Sequence, residues 1–269
     1  MKHLKVFNRT VIITLLFLVV IILIVLSQIV KTTPERKSLP PDNEGFIPIF
    51  DGETLHDWEG DSTYWRVENG SLVGEITPST ILDRNTFIIW RGGTPGDFEL
   101  KLAFRISENG NSGINYRSEP VEGIPFALRG YQCDIDGQNL YTGQNYEERK
   151  RTTLAYRGQI VTVQPPADAE SADLLQSNIA HNAWKNVQVT GSLGNPDSLS
   201  THIRNGDWND CHIVVRGNRM QHYINNILMS DVTDNDTLHQ SFSGLIGVQV
   251  HVGPPMKVEY RNIRIKEFK

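Results

Sequence analysis

The chain has 269 residues, of which 39% are hydrophobic and only two are cysteine. A chain of this size can bury a full hydrophobic core without disulfides, so one large domain is expected. Residues 1–37 hold six of the 26 basic residues and one of the 31 acidic residues, so the remainder carries 20 basic and 30 acidic groups and a formal charge of −10. Such a surface repels nucleic acid and anionic lipid, which excludes nucleic acid as a partner and favours a neutral substrate.

An almost wholly apolar run spans residues 11–30 and follows Lys2, Lys5 and Arg9. About 20 residues is the length that a helix needs to cross the hydrocarbon layer, and the basic flank places the amino terminus on the cytoplasmic side. The sequence predicts a transmembrane anchor or a cleaved signal peptide in residues 1–30, a linker in residues 31–44 and one exported domain in residues 45–269. We therefore expect a periplasmic or extracellular protein that is either anchored by this helix or secreted.

From residue 45 onward, strand patterns alternate with turn signals. An Asn-Gly pair at residues 69–70 predicts a β-hairpin over residues 65–74. Further strands are predicted at residues 98–106, 114–117, 131–135, 153–156, 184–190, 211–216, 220–224, 245–252 and 258–266, and short helices only at residues 168–176 and 196–203. Many strands, few helices and no internal repeat predict an all-β fold, an antiparallel β-sandwich or jelly roll.

Three of these strands alternate an aliphatic face with a face of polar groups. The aliphatic residues would face the core. The polar residues are short or planar groups suited to directional hydrogen bonds, unlike the usual residues of a solvated sheet face. We therefore expect them to form the floor of a polar ligand site, with Asn111, Asn115 and Arg117 on the first strand, Gln132, Asp134 and Asp136 on the second, and Gln249 and His251 on the third.

Seven short motifs occur in an order that resembles one protein family. They are FDGETLHDW (50–58), WRVENG (65–70), GNSGI (110–114), WND (208–210), Asn225, GVQVH (247–251) and YRNIRI (260–265). Residues 45–268 thereby resemble the domain of unknown function 1080 family, also called the 3-keto-disaccharide hydrolase domain. The resemblance implies a concanavalin-A-like jelly roll and, for characterised members, cleavage of glycosides whose sugar is oxidised to a ketone at carbon 3. The chain departs from the family at Asn226, where glycine is common, and in an insert at residues 143–156.

Cleavage of such a glycoside by elimination and hydration needs a general base, an acid for the departing oxygen and groups that stabilise the enolate oxygen. We expect His251 to be the base, because the pKa of an ordinary histidine lies near neutral pH. Asp134 or Asp136 would be its acid or base partner, and Arg117 would stabilise the enolate. Substrate-binding residues are expected at Asn111, Asn115, Gln132, Gln249, Glu147 and Arg151, the last two in a charged loop beside the floor.

Simpler interpretations remain open for several residues. Asp134 and Asp136 could be turn residues, Arg117 could pair with one of them, and His222 is expected to be structural. Cys133 and Cys211 are expected to be buried thiols, with a disulfide left open. The acidic residues 231–236 offer oxygen ligands for a divalent ion such as calcium but lack the full loop pattern, so a surface turn is favoured.

The fold also leaves the class of function open. The alternative to an enzyme is a non-catalytic carbohydrate-binding module of the cell envelope, because a lectin-like fold serves binding as readily as chemistry. A third interpretation is an envelope interaction domain. Acidic groups beside His251 favour the enzyme.

Overall fold

The computed structural model describes residues 40–165, 176–177, 179–182 and 184–268. The predicted membrane segment and most of the predicted helix 168–176 lie outside these residues. No helix within the described part of the chain is long and apolar enough to cross a membrane.

The described residues include two β-sheets and a short helix. The strands are β1 (Ile47–Pro48), β2 (Trp58–Glu59), β3 (Trp65–Glu68), β4 (Ser71–Ile76), β5 (Thr86–Trp90), β6 (Phe98–Ile106), β7 (Asn111–Pro120), β8 (Leu128–Asp136), β9 (Asn145–Glu148), β10 (Thr152–Ala155), β11 (Gln159–Val163), β12 (Val187–Ser192), β13 (Asn209–Arg216), β14 (Arg219–Ile224), β15 (Ile227–Asp234), β16 (Leu245–Val250) and β17 (Met256–Glu267). The helix α1 (Pro196–Ser200) begins after the N-cap residue Asn195, whose side chain accepts hydrogen bonds from two backbone amides.

The ten-stranded sheet has the order β12-β11-β15-β14-β13-β6-β17-β4-β3, with β1 also paired to β17. The seven-stranded sheet has the order β10-β9-β8-β7-β16-β5-β2. All recorded pairs are antiparallel except β11 with β15. The predicted all-β sandwich is thus confirmed. Strands such as β7 and β16 lie side by side in the sheet although they are far apart in the chain.

The core lies between the two sheets, as the period-two pattern predicts. Ile114, Cys133 and Val248 of the seven-stranded sheet pack in one cluster with Leu100 and Ile213 of the ten-stranded sheet. Both cysteines are free and buried, in agreement with the expected buried thiols. The inward faces of β7, β8 and β16 are therefore committed to packing, so their polar residues must point out of the sandwich.

The predicted hairpin over residues 65–74 is confirmed as β3 and β4. Asn69 and Gly70 both have positive φ, 50° and 75°, which is the backbone of a tight hairpin turn. The strands β1, β2, β5, β9, β11 and β15 were not predicted. The reason is clearest for β9, whose sequence is Asn-Tyr-Glu-Glu and contains no aliphatic residue to reveal its period.

Candidate functional site

Polar side chains follow one row across the outer face of the seven-stranded sheet. Asn115 on β7 lies directly opposite Gln132 on β8, and Gln132 lies opposite Tyr146 on β9. On the other side of β7, Gly247 of β16 is opposite Asn115, so Gln249 follows two residues later on the same face. The structure thus brings three of the predicted floor residues together.

The sheet curls around this face. Glu148 on β9 accepts a hydrogen bond from Nδ2 of Asn85, which immediately precedes β5, at 3.1 Å. Three strands separate β9 from β5, so in a flat sheet they would be about 19 Å apart. Side chains can meet across that span only if the sheet is strongly concave. We name this concave surface the polar cleft, and it is formed by Asn85, Asn115, Gln132, Asp134, Tyr146, Glu148, Gln249 and His251.

Asp134 lies on the floor of the polar cleft and is held by two amides. Gln132 Nε2 donates to Oδ1 at 2.7 Å, and Gln144 Nε2 donates to Oδ2 at 2.5 Å. Gly113, opposite Asp134, makes room for this arrangement, because a Cβ at Gly113 would lie 2.3 Å from Cδ of Gln132. Burial outweighs the two hydrogen bonds and raises the pKa of Asp134 to about 7. The group can therefore give up or take a proton near neutral pH.

Glu148 and His251 form a second acid–base group in the cleft. Burial raises the pKa of Glu148 above its usual range, while the hydrogen bond from Asn85 and the nearby positive charges of Arg149 and His251 act in the opposite direction. Nδ1 of His251 lies 2.7 Å from the carbonyl oxygen of Val252. A carbonyl can only accept, so Nδ1 carries the hydrogen and Nε2 of the neutral ring is left to accept a proton.

The amides of the floor have oxygen atoms without partners. Oδ1 of Asn115, Oε1 of Gln132 and Oε1 of Gln249 are buried and make no hydrogen bond within the described part of the chain. Nε2 of Gln249 also lacks hydrogen-bond geometry, although this side chain is close enough to Glu148 to act toward a lower pKa of that carboxyl. An unsatisfied buried polar atom costs about 1–3 kcal/mol. A ligand rich in hydroxyl groups would satisfy these acceptors.

Arg117 is not part of the polar cleft. The pairing of β7 with β8 shifts between Tyr116 and Glu119, and Arg117 has a φ of 44°. Its guanidinium instead donates to the carbonyl of Gly217 at 2.7 Å and to Asp97 at 2.9 Å. The expectation that Arg117 faces the floor was wrong, because the bulge breaks the alternation on which it rested.

Asp136 serves the loop after β8. Its carboxylate accepts hydrogen bonds from the backbone amides of Leu140, Tyr141 and Thr142 at 2.8, 2.8 and 2.9 Å. This is the turn role that remained open for Asp136. Asn111 lies at the edge of the cleft, where its carbonyl accepts from the backbone amide of His251 at 3.3 Å.

Glu147 and Arg151 lie behind the sheet and not beside the floor. Because residues 145–148 are a strand, Glu147 points inward while Glu148 points into the cleft. The side chains of Glu147 and Arg151 are both fully buried. Arg151 contacts Glu147 at 2.5 Å, Asp234 at 2.6 Å and Asp236 at 3.1 Å. The expectation that Glu147 and Arg151 lie in a charged loop beside the floor was therefore wrong. Residues 231–234 belong to strand β15 and not to a surface turn.

The acidic residues 231–236 make ion pairs with arginines. Asp231 pairs with Arg219 at 2.6 Å, and Asp234 and Asp236 pair with Arg151. Throughout the described residues, no three His, Cys, Asp or Glu side chains are grouped so as to hold a metal ion. The predicted structural role of His222 agrees with its position, since it is buried and Nε2 lies 2.8 Å from the Tyr116 hydroxyl.

A cavity of about 610 Å³ lies elsewhere, at loops lined by Gln138, Asn139, Arg157, Asp197 and Asn205 among others. Arg157 there is occupied by the carbonyls of Asn139, Thr142 and Pro196. We place the candidate site in the polar cleft, where two carboxyl groups with raised pKa values, Asp134 and Glu148, lie on one face with His251.

Sequence reasoning missed Asn85, Tyr146 and Glu148. The signal that could have found two of them is the alternation of side chains along a strand. If residues 145–148 form a strand, Tyr146 and Glu148 lie on one face and Glu147 lies on the other.

Comparisons with known proteins support the resemblance that the motifs indicated. The model of the 3-keto-alpha-glucoside-1,2-lyase-like domain family matches residues 45–266. The chain is 24% identical over 263 residues to a 3-keto-disaccharide hydrolase of Bacteroides thetaiotaomicron, which covers 85% of this chain and 80% of the relative.

Similarity to solved structures extends over most of the chain, and one of them shares the fold. The crystal structure of a glycosyl hydrolase candidate from Parabacteroides distasonis superposes with a TM-score of 0.51 at 16% identity, covering 84% of this chain and 95% of that one. A second glycosyl hydrolase candidate from the same organism has a TM-score of 0.49 at 14% identity, covering 83% and 99% of the two chains.

Proposed function

Because the chain belongs to the 3-keto-alpha-glucoside-1,2-lyase-like domain family, we propose that it is a glycosidase that cleaves 3-keto-glycosides in the polar cleft. The relative in Bacteroides thetaiotaomicron, a 3-keto-disaccharide hydrolase, supports a disaccharide as the substrate. The concave sheet with its acidic and amide groups also supports a jelly roll of the concanavalin A type, in which a carbohydrate lies on a curved sheet.

The observation that carries the proposal is the position of two acid–base groups on one concave face. Asp134 has a pKa near 7, and Glu148 lies beside a histidine whose Nε2 is free to accept. Such pairs are the usual requirement for proton transfer at neutral pH. Unpaired amide oxygens beneath them suit the hydroxyl groups of a sugar.

The proposed reaction proceeds by elimination and then hydration. Nε2 of His251 takes the proton from carbon 2, the C–H electrons form an enolate with the ketone at carbon 3, and the Glu148 carboxylate stabilises the imidazolium. The enolate electrons then form the double bond between carbons 1 and 2 and expel the oxygen on carbon 1, which receives the proton of Asp134. Water adds to carbon 1 as Asp134 takes a proton from it and His251 returns its proton to carbon 2, which completes a net hydrolysis.

We further propose that the reaction takes place outside the cytoplasm, because the apolar run at residues 11–30 follows a basic flank. Fusion of residues 1–39 to a reporter that is active only after export tests this placement. A reporter that stays inactive in the cell would contradict it.

Incubation of the full-length protein with 3-keto-trehalose, beside trehalose, tests the activity. We expect cleavage of the oxidised sugar only, and incorporation of deuterium at carbon 2 when the reaction runs in heavy water. Changing His251→Ala or Asp134→Asn should reduce kcat by about 10²–10⁴. His212→Ala, on the ten-stranded sheet, is the matched control and should retain activity.

Saturable binding without cleavage by the wild-type protein would instead support the carbohydrate-binding module. If the protein neither binds nor cleaves either sugar, both proposed functions are contradicted.

A further inference from the structure

The polar cleft offers a ligand more hydrogen-bond acceptors than donors. Asn115 and Gln132 each direct an N–H, at Ser118 and Asp134 respectively, while their buried oxygens have no partner among the described residues. Asp134, Glu148 and the Nε2 atom of His251 add further acceptors. Such a surface holds sugar hydroxyls well, but an enolate oxygen needs a hydrogen-bond donor. The expected donor Arg117 lies elsewhere.

The side chain of Tyr146 brings a phenol hydroxyl, which can donate a hydrogen bond, into the polar cleft. It faces outward opposite Gln132, and Glu148 lies two residues later on the same face of β9. Its ring is half-buried, and its hydroxyl makes no hydrogen bond to any residue that the structure describes. The hydroxyl is therefore uncommitted, and the Tyr146 side chain is more exposed than the neighbouring floor amides.

We propose that Tyr146 is a catalytic residue whose hydroxyl donates a hydrogen bond to the ketone oxygen on carbon 3 and to the enolate that forms there. This inference rests on the proposed function and adds to it the group that stabilises the negative charge. No bond to Tyr146 forms or breaks, because the phenol keeps its proton throughout the reaction.

The surroundings of Tyr146 explain why its proton is retained. Burial and the nearby carboxylates of Glu148 and Asp134 raise the pKa of the phenol above its ordinary value. The group is thus a neutral donor over the whole pH range in which the acid–base residues act, and it is a poor proton source for the departing oxygen. Gln249 Nε2, which lies near Glu148 without hydrogen-bond geometry, is a further donor of the described cleft and would share the role.

The test compares Tyr146→Phe with Tyr141→Phe, a change of an exposed tyrosine in the loop after β8. Two substrates are used: methyl 3-keto-glucoside, with a poor leaving group, and p-nitrophenyl 3-keto-glucoside, with a good one. We expect Tyr146→Phe to lower kcat by about 10²–10³ on both substrates. The rate of deuterium exchange at carbon 2 should fall by the same factor, since enolate formation itself is slowed.

The outcomes separate the inference from the function on which it rests. If Tyr146→Phe impairs only the methyl glycoside, the phenol assists the leaving group and the assignment to the enolate is overturned. A wild-type rate in Tyr146→Phe overturns it as well, whereas inactive wild-type protein contradicts the proposed function. Unchanged urea unfolding of Tyr146→Phe relative to Tyr141→Phe excludes a loss of folding as the cause.

Discussion

The raised pKa of Asp134 makes the stability of this protein depend on pH. In an unfolded chain the carboxyl titrates near 3.8, whereas in the folded protein burial moves its pKa to about 7. Between these values the folded state holds the proton more tightly than the unfolded state does, so the free energy of unfolding decreases as pH rises. The contribution is fully present below about pH 4 and is lost above about pH 7.

The size of the effect follows from the shift. Each pKa unit corresponds to about 1.4 kcal/mol, so a shift from 3.8 to about 7 amounts to roughly 4 kcal/mol over the whole range. Between pH 5 and pH 7 the expected loss from this carboxyl is about 2 kcal/mol, because the group is already half ionised in the folded protein at pH 7. Asp134→Asn removes the titrating carboxyl and keeps the shape of the side chain. The free energy of unfolding of the variant, relative to that of the wild type, should therefore increase by that amount between pH 5 and pH 7.

Urea unfolding at pH 5, 6, 7 and 8 measures this difference. Asp210→Asn is the matched control, because it makes the same chemical change on an exposed position of β13. Its pH dependence should run parallel to that of the wild type. Parallel curves for Asp134→Asn and wild type would refute the reasoning, since they would mean that burial does not hold the proton on Asp134.

Three further changes probe the cleft and its support. Arg151→Met removes the arginine that three buried carboxylates share, and urea unfolding should reveal a loss of about 3–5 kcal/mol in the free energy of unfolding. Gly113→Ala pushes Gln132 away from its position, so stability should fall by about 1–3 kcal/mol and kcat should fall with it; wild-type kinetics would contradict the packing described. Asn85→Ala removes the hydrogen bond that favours charged Glu148, so the acidic limb of the pH–kcat profile should move to higher pH, and an unmoved limb would count against a role for Glu148.

Several features of the fold were accessible from the sequence because local rules fix them. The hairpin at residues 65–74 follows from the positive φ that Asn69 and Gly70 adopt readily. The inward faces of β7, β8 and β16 follow from the period of two in their aliphatic residues. Where that alternation is intact, it correctly predicts that the intervening polar residues, such as Gln132 and Gln249, lie on the opposite face of the sheet, toward the polar cleft.

Prediction failed where a short-range rule was interrupted. A bulge before Glu119 turned Arg117 away from the face that lines the polar cleft. The sequence of β7 contains no residue pattern that predicts this bulge. In β9 the absence of aliphatic residues concealed the strand, so Glu147 was chosen in place of Glu148.

The sequence by itself determined the all-β class, the family and the floor residues Asn115, Gln132, Asp134 and Gln249, because each depends on alternation or on local motifs. Only the tertiary structure decided that Glu148 reaches Asn85 across three strands and that Arg151 is a buried support. The physical reason is that sheet curvature and the pairing of buried charges join residues far apart in the chain, and no period along one strand encodes such contacts.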